Sequence, residues 1–152
     1  MNWSIKRTLL GERIVDAQDQ VVGSTRRGLF STRVLNASGT LLWCIRTRPL
    51  FGGGITVNQQ KLDVQYKNEG NYFLPRKLEQ VAAEVDGVRY QMRRNRENQF
   101  QIFKDSVSLG NSTGTWNPAK RWTTDRDLPD SVAMLFFELA RQIQLVEAAD
   151  IY

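Results

Sequence analysis

Apolar residues recur along most of this chain in short segments of alternating polarity. Turn-forming residues close each segment about ten positions after the last, the spacing of antiparallel β structure. In Lys61 to Lys67, Leu62, Val64 and Tyr66 fall on one side and Asp63, Gln65 and Lys67 on the other. Val88, Tyr90 and Met92 oppose Arg89, Gln91 and Arg93 in the same way. Period-two alternation is what a strand with one face in a core requires. Asp86-Gly87 fits a two-residue type I′ turn, and Asn36-Ala37-Ser38-Gly39 joins Leu29–Leu35 to Leu41–Arg48. Asn68-Glu69-Gly70 is expected to turn the chain into a strand over Asn71–Arg76, with Pro75 marking an edge or strand end. Weaker strands are expected at Val107–Leu109 and Thr115–Trp116. The pattern from residue 12 to residue 122 predicts about eleven or twelve strands.

The period changes after Leu128. Pro129 keeps Leu128 extended, and Asp130 is expected to cap a helix from Ser131 to Ala149. Apolar residues at 132, 135, 136, 139, 143 and 146 form a helical stripe, but Val132 to Phe137 is apolar on every side. A helix apolar all round has to be enclosed. A barrel of about twelve strands is too wide to fill with its own side chains, whereas a helix about 10 to 12 Å across fits such an interior. The expected fold is therefore mainly β: a closed antiparallel barrel of about twelve strands around a central hydrophobic C-terminal helix. The alternative is a β-sandwich or half-open barrel with the helix docked outside. No linker or break in composition divides the chain, so one domain is expected over residues 1–152.

Composition narrows the chemistry. With no histidine among 152 residues, imidazole acid–base catalysis, histidine-based nucleophilic triads and histidine metal ligands are all excluded. Cys44 is the only cysteine, so no internal disulfide can form and a reducing, cytoplasmic setting is expected. The N-terminus lacks a signal-peptide core, and the strongest apolar run, Val132 to Phe137, is far shorter than the roughly 20 residues of a membrane span. The expectation is a non-enzymatic protein with no cofactor and no metal, at most peripheral to a membrane. A net charge of +5 and a pI near 9.7 make a polyanionic partner plausible. The surplus lies in residues 1 to 76, with eleven Lys and Arg against five Asp and Glu.

The order of parts carries a resemblance. Hairpins in the style of Phe30-Ser31-Thr32-Arg33-Val34-Leu35-Asn36-Ala37-Ser38-Gly39 are followed by Trp122-Thr123-Thr124-Asp125, leading into Ser131-Val132-Ala133-Met134-Leu135-Phe136-Phe137. Across nearly its whole length the chain resembles the tubby C-terminal-like superfamily, which includes tubby-like proteins, LURP-one-related proteins and phospholipid scramblases. The resemblance implies a twelve-stranded barrel around a C-terminal helix. It also implies phosphoinositide binding through basic residues spaced two apart at a strand end, to which Arg46 and Arg48 are similar. The acidic calcium loop of the scramblases has no counterpart.

Candidate sites follow from charge. Arg46 and Arg48 share one face of a strand, where two guanidiniums can hold phosphate oxygens together. Arg89, Arg93, Arg94 and Arg96 form the densest basic cluster. Each group can equally be a solvated strand face, with Glu97 and Asp105 at hand to pair the second. Together these six arginines are the expected anionic-headgroup site. Gly52-Gly53-Gly54 reads as a hairpin connection because Lys-Ser/Thr and a helix do not follow, and Phe51 beside it is a candidate membrane-touching tip. Asp125, Asp127 and Asp130 read as helix-end acids rather than a calcium site. Cys44 is expected as a buried small hydrophobe. The expected function is recognition of anionic phospholipid headgroups. A protein-interaction scaffold and a lipocalin-like small-ligand barrel are the alternatives. Dispersed tryptophans and the lack of a recognition helix argue against nucleic acid.

Overall fold

Alternating segments become strands throughout the computed structural model, which describes residues 1–29, 31–48, 54–68, 72–113 and 119–149, except the side chains of Arg48 and Ala149. The first strands are β1 (Asn2–Arg7), β2 (Gly11–Val15), β3 (Val21–Arg27), β4 (Thr32–Asn36), β5 (Leu41–Arg48), β6 (Gly54–Val57) and β7 (Gln60–Lys61). Then come β8 (Asp63–Tyr66), β9 (Leu78–Val85), β10 (Val88–Arg94), β11 (Phe100–Lys104), β12 (Val107–Thr113) and β13 (Arg121–Thr124). The helix α1 (Asp130–Ala149) ends the described chain. All thirteen strands belong to one antiparallel sheet in chain order, and β1 pairs with β13, setting Trp3 opposite Trp122.

Ring closure explains the odd count. A ring of wholly antiparallel neighbours needs an even number of strands. Thirteen fit because β7 and β8, separated only by Leu62, run the same way as two halves of one strand. Gln60 and Lys61 pair with β6, and the Leu62 N–H still donates to the Ile55 carbonyl at 2.9 Å. From Asp63 onward the pairing passes to β9. The result is a nearly closed barrel of twelve strand paths, as the sequence pattern predicts.

The helix runs inside it. Residues 132–140 are all buried, with Phe136, Leu139, Ala140, Ile143 and Val146 wholly so. Phe137 packs edge-on to Trp3 at 5.6 Å and against Trp122 at 4.8 Å, while Phe136 meets Tyr90 at 6.5 Å on another side. Trp43 Nε1 donates to the Ser131 carbonyl at 2.9 Å from β5. Strand partners on several sides are what the all-round apolar segment demands. They exclude the outside-docked helix and leave no lipocalin-type central pocket among the described residues. A Cβ on Gly23 would lie 2.3 Å from Met134 Sδ, so glycine is what lets the helix approach β3 this closely.

Antiparallel alternation gives the barrel two unlike ends. At the end where α1 begins, connections are tight, and three of them are two-residue turns: Asn58-Gln59, Asp86-Gly87 and Asp105-Ser106. Both residues of each have positive φ, as a type I′ turn requires. Two more are loops of five residues over 16–20 and four over 37–40, where the Asp16 or Asn36 side chain accepts from two backbone N–H groups ahead of it. At the opposite end, toward which α1 runs, β8 and β9 are separated by residues 67–77 and β12 and β13 by residues 114–120.

Several expectations are corrected. Residues 72–77 are not strand; the strand after the turn begins at Leu78. β1 and β13 carry few apolar residues and were not expected. Cys44 is half-buried rather than buried, because Ile45 holds the inward position beside it. Asp130 is the first helical residue rather than the residue before it, and Asp125 organises the loop by accepting the Asp127 N–H at 2.9 Å. Phe30, Phe51, Gly52, Gly53, Glu69, Gly70, Asn71 and the Thr115–Trp116 strand lie outside the described residues.

Candidate basic mouth of the barrel

The helix changes character from its middle onward, toward the loop end. Glu138 is almost wholly buried there, with side-chain exposure of 1%. It cannot stay charged without partners. Arg141, one turn on, donates to it through Nε at 3.0 and 3.1 Å and through Nη2. Gln142 Nε2 adds a bond at 2.8 Å and also donates to Thr32 Oγ1 on β4 at 3.1 Å. Arg141 Nε lies 3.4 Å from Glu12 on β2, which in turn accepts from Arg27 at the end of β3 at 2.7 Å. Burial works against a charge on Arg141, but the hydrogen bond to Glu138 and the charges of Glu138 and Glu12 outweigh it and hold the guanidinium above the ordinary arginine range. This chain of ion pairs and hydrogen bonds ties the helix to three strands at the mouth.

A second tie lies across the mouth. Arg94, at the inward register of β10, holds both carboxylate oxygens of Glu147 at 2.5 Å and lies 4.4 Å over the Phe100 ring. Between these ties the helix and the strand ends leave open clefts. One of about 390 Å³ is lined by Arg7, Glu12, Arg27, Lys120 and Arg141, among others. Its neighbour, about 470 Å³, includes Arg27, Leu29, Arg46 and Arg141. A third, about 500 Å³, includes Lys67, Arg76, Lys77, Arg94, Arg96 and Glu147. Cations outnumber carboxylates in every one. Such a lining suits ligands with several anionic oxygens, held by fixed guanidiniums and reached by freer lysines.

The six arginines expected from the sequence are dispersed by the fold. Arg46 points outward on β5 and lines the second cleft. Arg48 pairs with Gly54 through its backbone, and its side chain lies outside the described residues. Arg94 and Arg96 reach the third cleft. Arg93 faces outward, 5.3 Å over the Phe103 ring and bonded to Gln80 and Gln91. Arg89 lies five residues back along β10, roughly 16 Å from Arg94, beside the tight-turn end, and it pairs with Asp63 at 3.3 Å. The described partners of this cluster are thus Asp63 and Glu147, not the expected Glu97 and Asp105.

Sequence reasoning missed Arg7, Arg27, Lys120, Arg141 and the buried Glu138. Glu138 and Arg141 carried a signal, since a charged i, i+3 pair interrupts an otherwise buried stripe. Among the described residues no group of three His, Cys, Asp or Glu side chains is placed to hold a metal ion, and no helix is long and apolar enough to cross a membrane. Comparison of the chain with known protein families, curated proteins and solved structures finds no match.

Proposed function

We propose that this chain is a non-enzymatic, tubby-like binding domain that recognises anionic phospholipid headgroups at the basic mouth of its barrel, peripheral to a cytoplasmic membrane face. One observation carries the reading: charge is segregated along the barrel axis. Arg7, Arg27, Arg46, Lys77, Arg96 and Lys120 lie toward the loop end and outnumber Glu97 in its connections, whereas Asp16, Asp19, Asp86, Asp105, Asp125 and Asp127 outnumber Lys61, Lys104 and Arg126 in and beside the connections of the other. A charge distribution polarised in this way orients the molecule as it approaches an anionic surface. The order of parts, twelve strand paths around a C-terminal helix, adds support for the tubby-like reading, although the headgroup contacts move from the outer strand face to the mouth.

Co-sedimentation with vesicles of phosphatidylcholine and a rising share of phosphatidylserine or phosphoinositide tests the proposal. Binding is expected at low salt and should fall steeply as salt rises. Removing Arg46 and Arg48 together by alanine substitution should weaken it by about 2 kcal/mol, at about 1 kcal/mol for each basic residue near the surface. Arg89→Ala, at the other end, should change nothing. No binding at low salt, or equal losses from both ends, overturns the reading.

A further inference from the structure

Exposed apolar side chains follow the same division as charge, and in their case the position is stranger. Leu9 at 103% exposure, Leu29 at 89% and Phe73 at 87% present most of their surface to water, Phe73 with its ring edge-on to Tyr72 at 5.5 Å, and Leu10 and Tyr72 are exposed beside them. All five sit in the β1–β2, β3–β4 and β8–β9 connections, which open from the basic mouth. Loop tips in water favour polar and turn-forming residues, so bulky apolar tips on three connections at one end need a covering. At the other end Val21, Leu41 and Val107 are at most 60% exposed and stand at strand starts beside aspartate-bearing or polar turns, and Met1, at 61%, precedes β1.

We propose that Leu9, Leu10, Leu29, Tyr72 and Phe73 enter the headgroup and upper acyl region of an anionic membrane, so that the barrel stands on its loop end with the aspartate turns facing away. The inference rests on the headgroup reading and adds what that reading lacks: which atoms leave water, and which way the molecule points. Charge complementarity selects this occupant. Apolar tips enter a lipid surface to a depth of about 5 to 10 Å, and arginines and lysines behind them lie at the phosphate level. Arg7, Arg27, Lys77 and Lys120 are placed at the strand ends and loops for that role. A second copy of the chain is a poor occupant, because joining two such ends would bring two basic mouths together.

Two readouts separate insertion from attraction. Monolayers of phosphatidylcholine and phosphatidylserine report insertion as a rise in surface pressure, and co-sedimentation with vesicles of the same composition reports binding. Leu9→Asn with Phe73→Asn leaves net charge unchanged and touches no core residue. It is expected to abolish most of the pressure rise and to weaken vesicle binding at least about tenfold. Val107→Asn, at the other end, should leave both readouts as they were, and circular dichroism should find all three proteins equally folded. Vesicle binding without a pressure rise, and unaltered by the double substitution, overturns insertion while leaving headgroup recognition intact. Absence of binding at low salt overturns both. A self-associated species in sedimentation velocity that dissociates on the double substitution would assign the tips to a second copy and overturn the membrane reading.

Discussion

The two ends of the barrel share short strand connections but differ in what is added to them. At the tight-turn end, aspartate, asparagine and glycine, with Gln59 and Ser106, take positive φ or accept backbone hydrogen bonds, and three connections are two-residue turns. At the loop end two connections are long, 67–77 and 114–120, while 8–10, 28–31 and 95–99 are as short as those opposite, and the chain opens clefts around the helix, buries a glutamate and exposes leucine and phenylalanine. Local backbone chemistry organises connections at both ends, as where Asn95 accepts from the Glu97 and Gln99 N–H groups at 2.9 Å, but the loop end adds buried ion pairs to the helix and features that folding alone does not call for. Departures from local economy tend to mark function. That contrast is why binding is assigned to the loop end.

Substitutions can break or sharpen the contrast. The largest loss is expected from Phe137→Ala, which empties the packing between Trp3, Trp122 and the helix. It should cost about 3 to 5 kcal/mol in urea unfolding and weaken both ends alike, since both depend on this core. Glu138→Ala should come next, at about 3 kcal/mol, because Arg141 then loses its main partner within the mouth. Its effect should be local, with hydrogen exchange faster around Thr32 and Gln142 and unaltered at Asp86-Gly87. Gly87→Ala, at φ +77, should cost about 1 kcal/mol in the same unfolding experiment without touching lipid binding. Smallest of all in stability is Arg96→Gln, expected within about 0.5 kcal/mol of the parent because the side chain is exposed. It should nevertheless lower anionic vesicle binding, the reverse of the ranking expected for Gly87.

Legibility in the sequence divides along the same line. The tight-turn end could be read, because Asp86-Gly87 and Asn36 to Gly39 signal their turns locally. The helix was legible too, since no other environment suits Val132 to Phe137. The strands that close the ring were not. β1 places only Trp3 and Ile5 inward and β13 only Trp122 and Thr124, too few for a periodic signal. Their assignment comes from a contact more than a hundred residues apart, with Trp3 Nε1 donating to Thr124 Oγ1 at 2.7 Å. The mouth was hidden for the same reason. Arg27, Glu12, Arg141 and Glu138 are distant in the chain and meet only when the barrel encloses the helix. Arg89 to Arg96 misled in the opposite sense, since proximity along a strand conceals the length of that strand: one guanidinium binds Asp63 near one end and another Glu147 at the other.

Hydrogen–deuterium exchange on anionic vesicles tests the central claim most directly, because it reads both ends of one molecule in one experiment. The account predicts slower exchange on vesicles for residues 8–11, 28–29 and 72–77, with 37–40, 86–87 and 105–106 unaltered. Protection at the aspartate turns, or protection spread evenly over both ends, would contradict it.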